Sequence, residues 1–154
     1  MYLFKSFNST KIQTDILLYN RPKIKTIHKM NIIQTENMPT ANGHYSQCIE
    51  HNGILYLSGQ LPIDRETKKI PTTISAQTNL VLKNIETILH EANSDKNHIL
   101  QVRIYIPTIQ LWEEVNAVYS DFFGTHKPTR CIIPTNELHF NALIEIEVTA
   151  ITKS

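Results

Sequence analysis

The sequence predicts an α+β domain in which two helices cover one face of a six-stranded sheet, in the order βββαβαββ. Six short segments have the alternating or apolar pattern of strands, and two longer segments repeat apolar residues at helical spacing. With 154 residues and 41% hydrophobic content, the chain is long enough for one domain around one core. We therefore expect one functional site.

The first three predicted strands are joined by a loop and then by a tight turn. Asn52-Gly53 separates the second and third strands, and this dipeptide favours a two-residue hairpin turn. Two of the four glycines in the chain, Gly43 and Gly59, bracket the hairpin. A glycine in such a strand is typical of a bulge or a close backbone approach. The predicted bounds of the strands are 31–36, 45–51 and 54–58.

Two helices and three strands are predicted after the hairpin. Thr73 is the predicted N-cap of the first helix, Pro107 ends the next strand, and Gly124 is the predicted C′ residue of the second helix. The first helix spans about 73–93, and the strands span 100–106, 130–133 and 143–152. The apolar stripe of the second helix is predicted to contain Trp112, Val115, Tyr119, Phe122 and Phe123.

The first 30 residues differ from the rest in charge. They contain six basic residues and one acidic residue, whereas the other 124 contain nine basic and thirteen acidic residues, a balance of −4. We therefore divide the chain into a basic N-terminal extension, 1–30, and one domain, 31–154. Three explanations fit the extension: a misassigned start with the true start at Met30, a disordered or lightly docked tail, or an organelle transit peptide. The last would make the protein mitochondrial, and otherwise we expect it to be cytoplasmic.

Composition and motifs argue against several classes of function. The apolar runs are far shorter than a membrane span requires, and an acidic domain is poorly suited to nucleic acid. Two cysteines without a C-x-x-C motif indicate a reducing compartment. The seven histidines lack the spacing of a metal site, and the glycine-rich phosphate loops and the serine hydrolase elbow are missing from the sequence.

Two charged residues remain as candidates. Arg130 opens a short strand after a proline-containing loop, and Glu145 begins the polar side of an alternating strand. On spacing alone both are ordinary, because an arginine at a strand end is usually solvated and Glu145 shares its face with Glu147.

Seven short motifs, taken together and in order, resemble the reactive intermediate deaminase family, RidA, also called YjgF. The resemblance extends from about Met30 to the C-terminus. The motifs are GHYSQ at 43–47, LSGQLP at 57–62, AQT at 76–78, VNAVY at 115–119, FFG at 122–124, PTR at 128–130 and IEIE at 144–147.

The resemblance implies a chorismate-mutase-like fold and a homotrimer with sites in the clefts between subunits. It implies hydrolytic deamination of reactive enamines and 2-imino acids, such as 2-iminobutanoate and 2-iminopropanoate, to 2-oxo acids and ammonia. Pyridoxal-phosphate enzymes such as threonine dehydratase release these compounds, which implies a functional link. The deaminase itself is expected to need no cofactor and no metal.

The resemblance also assigns roles by position. Arg130 matches the arginine that binds the substrate carboxylate, for which a guanidinium offers two parallel hydrogen bonds. Glu145 matches the acidic residue that holds the attacking water and moves a proton; burial would raise its pKa, and a nearby Arg130 would lower it. The other expected substrate-binding residues are Tyr45, Ser58, Gly59, Asn116 and Ile132, the last through backbone atoms.

Two cysteines depart from the family pattern. Many members have a serine and then a cysteine after the arginine, whereas Cys131 follows Arg130 directly and is expected on the opposite face of its strand. A ligand contact through this thiol is therefore in doubt. Cys48 replaces a small residue, and it either narrows the pocket mouth or packs in the core.

Two other functions compete with the deaminase. A non-enzymatic regulatory protein could bind a small carboxylate in the same cleft, since fold alone does not determine function. Arg130 would serve both functions, whereas Glu145 is needed mainly by the enzyme. Some family members are described as ribonucleases or translation inhibitors, but that function predicts a basic groove, which a domain at −4 does not supply.

Overall fold

The structure contains the six predicted strands and the two predicted helices in the predicted order. The computed structural model describes residues 29–39 and 43–153, so the predicted extension lies outside the described residues except for Lys29 and Met30. Within them, one mixed sheet has the strand order β1-β2-β3-β6-β4-β5. The strands are β1 Met30–Ile33, β2 Cys48–His51, β3 Ile54–Gln60, β4 Ile99–Ile106, β5 Thr129–Pro134 and β6 Glu145–Ile151, and the helices are α1 Ile74–Glu91 and α2 Trp112–Phe123.

The hairpin turn between β2 and β3 is confirmed. His51 pairs with Ile54, and Asn52 and Gly53 between them have φ values of 55° and 78°. Two consecutive left-handed residues are the requirement of a type I′ turn, whose twist matches that of the strands. The Glu50 carboxylate accepts a hydrogen bond from the Gly53 amide at 2.7 Å, which further fixes the turn.

Two predicted strand boundaries are wrong for one shared reason. β1 ends at Ile33 and β2 begins only at Cys48, because the side chain of Gln47 replaces the ladder between them. Its Oε1 accepts from the Thr35 amide at 2.9 Å, and its Nε2 donates to the Pro39 carbonyl at 3.0 Å. Tyr45, expected in a strand, therefore lies in a loop ahead of β2.

Both helices pack on one face of the sheet. Residues from α1, α2, β4 and β6 form one buried cluster. After the register shift between Ile99 and Gln101, the buried residues of β4 and β6 are the even-numbered ones, as the alternation of β strands requires. Val115, Tyr119 and Phe123 of α2 are buried in it, but Trp112 is 40% exposed. The prediction that Trp112 packs in the core of its own chain is wrong, because it stands at the first position of α2, ahead of the first buried residue. Packing of Trp112 against another subunit stays a prediction. Opposite the helices, the sheet presents an uncovered surface, which we call the open face.

The ends of both helices follow the predicted signals. The Thr73 side chain accepts a hydrogen bond from the Ala76 amide at 3.3 Å and caps α1. Gly124 has φ of 58° and ends α2, a conformation that glycine adopts without steric cost.

The edge strand β5 runs parallel to β4, and α2 connects the two. Arg130 of β5 pairs with the buried Val102 of β4. This register places the Arg130 side chain on the helix-covered face, beside α2 and at the edge of the sheet.

Candidate functional site

Four of the predicted site residues line one cavity of about 580 Å³. They are Tyr45, Ser58, Gly59 and Glu145, which come from the loop before β2, from β3 and from the start of β6. The remaining lining residues belong mainly to the loops after β1 and β3, to α1 and to the turn before β6. They are Met38, Pro39, Gly43, Gln47, Gln60, Leu61, Ile63, Asn84, His139 and Phe140.

Gly59 is required by the position of Glu145. A Cβ atom at residue 59 would lie 2.0 Å from the Glu145 Oε1 atom and 3.0 Å from its Cδ atom. The pairing of β3 with β6 is irregular between Leu57 and Gln60, which confirms the bulge that a strand glycine predicts. The bulge brings backbone, rather than a side chain, against the carboxylate.

Gly43 and Ser58 shape the part of the cavity lining that includes the loop of Tyr45. A Cβ atom at residue 43 would lie 2.9 Å from the Tyr45 ring, so the glycine lets that ring lie against the backbone. The Ser58 hydroxyl donates to the Ser46 carbonyl at 2.7 Å, and the Ser58 amide donates to the Gln47 carbonyl at 3.1 Å. Ser58 therefore fixes the loop of Tyr45 to β3 and keeps its oxygen available as an acceptor.

Glu145 is a half-buried carboxylate with a perturbed proton affinity. Burial raises its pKa above the usual value, the neighbouring Glu147 raises it further, and His139 lowers it. Among the described residues, none donates a hydrogen bond to this carboxylate. Its oxygens are therefore available to a water molecule or a substrate.

Arg130 belongs to a second group of residues, held by α2. Its Nη1 atom donates to Asn116 Oδ1 at 3.0 Å, and its guanidinium carbon lies 4.5 Å from the centroid of the Tyr119 ring. Asn116 and Tyr119 are three residues apart and therefore share a helix face. Burial raises the pKa of the Tyr119 phenol to about 12, so the ring that faces Arg130 stays neutral.

The two groups emerge from opposite faces of the sheet. Arg130 pairs with Val102 on the helix-covered face, whereas Glu145 pairs with Tyr105, one of the odd-numbered residues of β4 on the open face. Ile132, two residues after Arg130, lies on the same face of β5 as Arg130 and packs against the core. Of the two influences on the pKa of Glu145 that the sequence left open, burial acts within one chain, together with Glu147 and His139.

The cysteines follow the departures seen in the sequence. Cys131 pairs with Arg103 rather than Val102 and is exposed on the open face, which confirms that it points away from the Arg130 side. Cys48 is fully buried in the core, where burial raises the pKa of its thiol to about 11. Between the two alternatives for Cys48, the structure supports packing.

Asn84, His139 and Phe140 are among the lining residues that were not predicted from the sequence. Asn84 is buried on α1, and its Nδ2 atom donates to the carbonyls of Leu61 and Ile63 at 3.2 and 3.1 Å. An asparagine inside an otherwise apolar helix stripe was a usable signal. His139 and Phe140 carried none, because their place depends on a backbone turn with positive φ at Phe140.

Other features of the described chain do not add a second site. A more open groove of about 640 Å³ lies beside the N-terminal half of α1, but it contains none of the predicted residues. No cluster of three or more His, Cys, Asp or Glu in residues 29–39 and 43–153 could hold a metal ion. No helix in this part of the chain has the length and apolarity needed to cross a membrane.

Comparisons with known proteins find similar sequences over most of the chain. The family model described as endoribonuclease L-PSP matches residues 35–152. A RutC family protein of Aquifex aeolicus is 39% identical over 124 residues, covering 79% of this chain and 99% of that protein.

Solved structures give the same result. The Rid family protein YyfA of Yersinia pestis, described as of unknown function, is 42% identical with a TM-score of 0.77, covering 80% of this chain and 100% of that one. TdcF of E. coli, solved with bound serine, is 29% identical with a TM-score of 0.76, covering 80% of this chain and 99% of that one.

Proposed function

This chain belongs to the endoribonuclease L-PSP family, which includes the RutC and Rid proteins, and from this premise we propose that it hydrolyses small 2-imino acids to 2-oxo acids and ammonia. The observation that carries the proposal is Glu145, a half-buried carboxylate with a raised pKa that faces a cavity. A carboxylate whose pKa is shifted towards neutrality is suited to accept and return a proton.

The proposed reaction needs water at the C2 carbon of the imine. Glu145 orients the water and accepts its proton while the oxygen bonds to C2 and the electron pair of the C=N bond moves to nitrogen, which takes up a proton. Glu145 then carries the remaining proton from the hydroxyl group on C2 to the nitrogen of this tetrahedral intermediate, the C=O bond forms as the C–N bond breaks, and ammonia leaves the 2-oxo acid behind. Water and these side chains suffice for every step as written.

The carboxylate of the substrate requires a cationic partner, and Arg130 is the proposed anchor. Asn116 and Tyr119 hold its guanidinium in one orientation, and a fixed planar fork can meet a carboxylate through two hydrogen bonds. The binding of serine by TdcF supports the proposal, since serine also presents a carboxylate next to a carbon that bears nitrogen.

We propose that the active form is a homotrimer whose sites combine Arg130 of one chain with Glu145 of its neighbour. Two observations support this assembly. The two residues emerge from opposite faces of the same sheet, and the open face carries exposed apolar side chains that a neighbouring chain would cover. These are Met30, Ile32, Tyr56 and Ile151, which are between 37% and 63% exposed.

Imine release by threonine dehydratase provides the test. We expect catalytic amounts of this protein to speed the conversion of the released imine to 2-oxobutanoate, and we expect Arg130→Ala and Glu145→Gln to lose this acceleration. Glu145→Gln keeps the shape of the site, so it should still bind 2-oxobutanoate by calorimetry, whereas Arg130→Ala should not.

The result also separates the deaminase from its rivals. A wild-type rate equal to that of solvent hydrolysis, together with intact binding of 2-oxobutanoate, would favour a carboxylate-binding regulatory protein. The family description makes RNA a further candidate substrate, but residues 31–154 contain more acidic than basic residues, which opposes binding to phosphates. We therefore expect no RNA cleavage by the wild-type protein.

A further inference from the structure

The turn before β6 holds an aromatic side chain in a conformation that costs free energy. Phe140 has φ of 58° and ψ of 27°, and the next residue, Asn141, has φ of 55°. Asparagine tolerates this left-handed region, whereas it is unfavourable for a bulky residue such as phenylalanine. Strained residues of this kind concentrate at ligand sites, where the surrounding structure holds them in place.

The surrounding structure does hold this turn. The Asn141 amide donates to the Leu138 carbonyl and the Ala142 amide donates to the His139 carbonyl, both at 3.2 Å, and Ala142 is buried. The rings of His139 and Phe140 lie edge to face, with centroids 4.5 Å apart and an angle of 88° between their planes. The turn therefore holds the backbone of Phe140, and its ring contacts His139 within the same turn.

Core packing does not explain the position of Phe140. The residue is 62% exposed, yet it lines the cavity that contains Glu145. Burial of a phenylalanine ring is strongly favourable in water, so a strained and exposed ring at a cavity rim gains this free energy only when another group covers it.

The cavity is large and is lined in part by apolar residues. At about 580 Å³ it falls within the range of pockets that enclose drug-sized ligands. The apolar residues Met38, Leu61 and Ile63 are among its lining residues. A substrate with only one or two side-chain carbons would leave much of this apolar surface in contact with water.

We propose that Phe140 determines specificity, by binding the side chain of the imino acid, and that the preferred substrates have branched aliphatic or aromatic side chains. This inference rests on the proposed deaminase function and narrows its substrate class. In the proposed complex the side chain of the imine covers the Phe140 ring while C2 lies at Glu145.

Imines generated in place provide the first test. An amino acid oxidase converts alanine, leucine or phenylalanine to the 2-imino acid, and semicarbazide traps whatever imine escapes hydrolysis. We expect the wild-type kcat/KM to be higher for the leucine and phenylalanine imines than for the alanine imine. A difference of one methylene in an apolar pocket changes kcat/KM by about 10-fold or more, so the ratio should be at least this large.

Two variants isolate the ring from the strain. Phe140→Asn removes the ring and accepts the left-handed backbone, so we expect it to fold and to lower kcat/KM for the large imines about 10-fold, with little change for the alanine imine. Phe140→Tyr keeps a ring and should keep the preference. Leu100→Ala, which shortens an exposed residue outside the cavity, should change neither value.

A binding measurement separates failure of this inference from failure of the proposed function. Calorimetry with 4-methyl-2-oxopentanoate and 2-oxopropanoate requires no turnover, and we expect the larger acid to bind more tightly to the wild type but not to Phe140→Asn. An unchanged ratio of the two affinities in Phe140→Asn would overturn the inference, whether or not the protein hydrolyses imines. An active deaminase with equal kcat/KM for small and large imines would overturn it as well.

Discussion

The environment of one carboxylate determines what this site can do. Glu145 begins β6, faces a cavity and has a pKa raised by burial and by Glu147. Its position depends on a missing side chain, because the backbone of Gly59 occupies the space next to its Oε1 atom. Two substitutions next to Glu145 therefore test its role without removing it.

We expect Gly59→Ala to keep the fold and lose most of the activity. The new Cβ would lie 2.0 Å from Glu145 Oε1, which is the end of a flexible side chain and can rotate away. A displaced catalytic group costs about 100-fold in rate, whereas a Gly→Ala change in a tolerated backbone conformation alters stability by about 1 kcal/mol or less. Kinetics measures the expected loss of activity, and thermal unfolding measures the expected retention of stability.

Gly43→Ala is the matched control, because its Cβ would contact the Tyr45 ring rather than the carboxylate. It should reduce activity less than Gly59→Ala does. Equal activity in Gly59→Ala and the wild type would contradict the role given to Glu145.

We expect Glu147→Gln to move the acidic limb of the pH profile to lower pH. Glu145 must be ionised to accept a proton, so kcat/KM falls as the pH drops through its pKa. The charge of Glu147 raises that pKa, and its removal lowers it, although burial remains the larger cause. His139→Gln is the opposite control, because His139 lowers the pKa of Glu145 and its loss should move the limb to higher pH. If the acidic limb moved in the same direction in Glu147→Gln and in His139→Gln, the result would contradict this account.

At the scale of elements, α2 acts as the support for Arg130. Its buried residues fix the helix on the sheet, and Asn116 and Tyr119 present a hydrogen bond acceptor and a ring face to the guanidinium. The Tyr119 hydroxyl is buried without a hydrogen bond partner in the described structure. The ring of Tyr119, and not its hydroxyl, is therefore the part that holds Arg130.

We expect Tyr119→Leu to weaken carboxylate binding and Tyr119→Phe to preserve it. A cation–π contact contributes about 0.5–2 kcal/mol, so the Kd for 2-oxobutanoate should rise roughly 2- to 30-fold in Tyr119→Leu. Tyr119→Phe keeps the ring and removes an unsatisfied polar group, so its Tm should match or exceed that of the wild type. Calorimetry measures the Kd and thermal unfolding measures the Tm of each variant. Equal damage from the two changes would show that the hydroxyl matters.

Helices and strands are predicted well from the sequence, because contact with the core makes buried apolar residues recur at a regular spacing along each of them. The helical spacing of α1 and the alternation of β6 reflect contact with one core, and Asn52-Gly53 reflects a local turn preference. The boundaries at Ile33 and Cys48 depend on hydrogen bonds made by the Gln47 side chain, which no local pattern reveals. Strand parity placed Cys131 away from Arg130, but only the register between strands shows that Arg130 and Glu145 occupy opposite faces.

At the scale of the whole molecule, the proposed site is divided between two groups of residues on opposite faces of one chain. The Arg130 group lies beneath α2 at the sheet edge, and the Glu145 group lies at the other face beside a cavity. The exposed apolar side chains on the open face are the surface that the proposed homotrimer would cover. Two experiments test this assembly, one on its surface and one on its sites.

We expect Tyr56→Glu to dissociate the assembly. Tyr56 is 50% exposed on the open face, and a charge buried in an apolar contact is costly. Light scattering coupled to size exclusion should show a trimer for the wild type and a monomer for the variant. Ile109→Glu, at a similarly exposed residue in the turn before α2, should remain trimeric. A wild-type protein that is monomeric at working concentrations would refute the proposal.

Mixed assemblies test whether neighbouring chains share each site. Arg130→Ala and Glu145→Gln chains should each be inactive alone. Co-expressed with different tags and purified through both, they should form trimers in which some interfaces pair an intact Arg130 with an intact Glu145 of the neighbour. In a ring of three with one contact type, every trimer that contains both kinds of chain has one intact interface out of three. Activity in the mixture therefore requires sites between chains, whereas sites within one chain would leave it inactive, because every chain lacks one of the two residues.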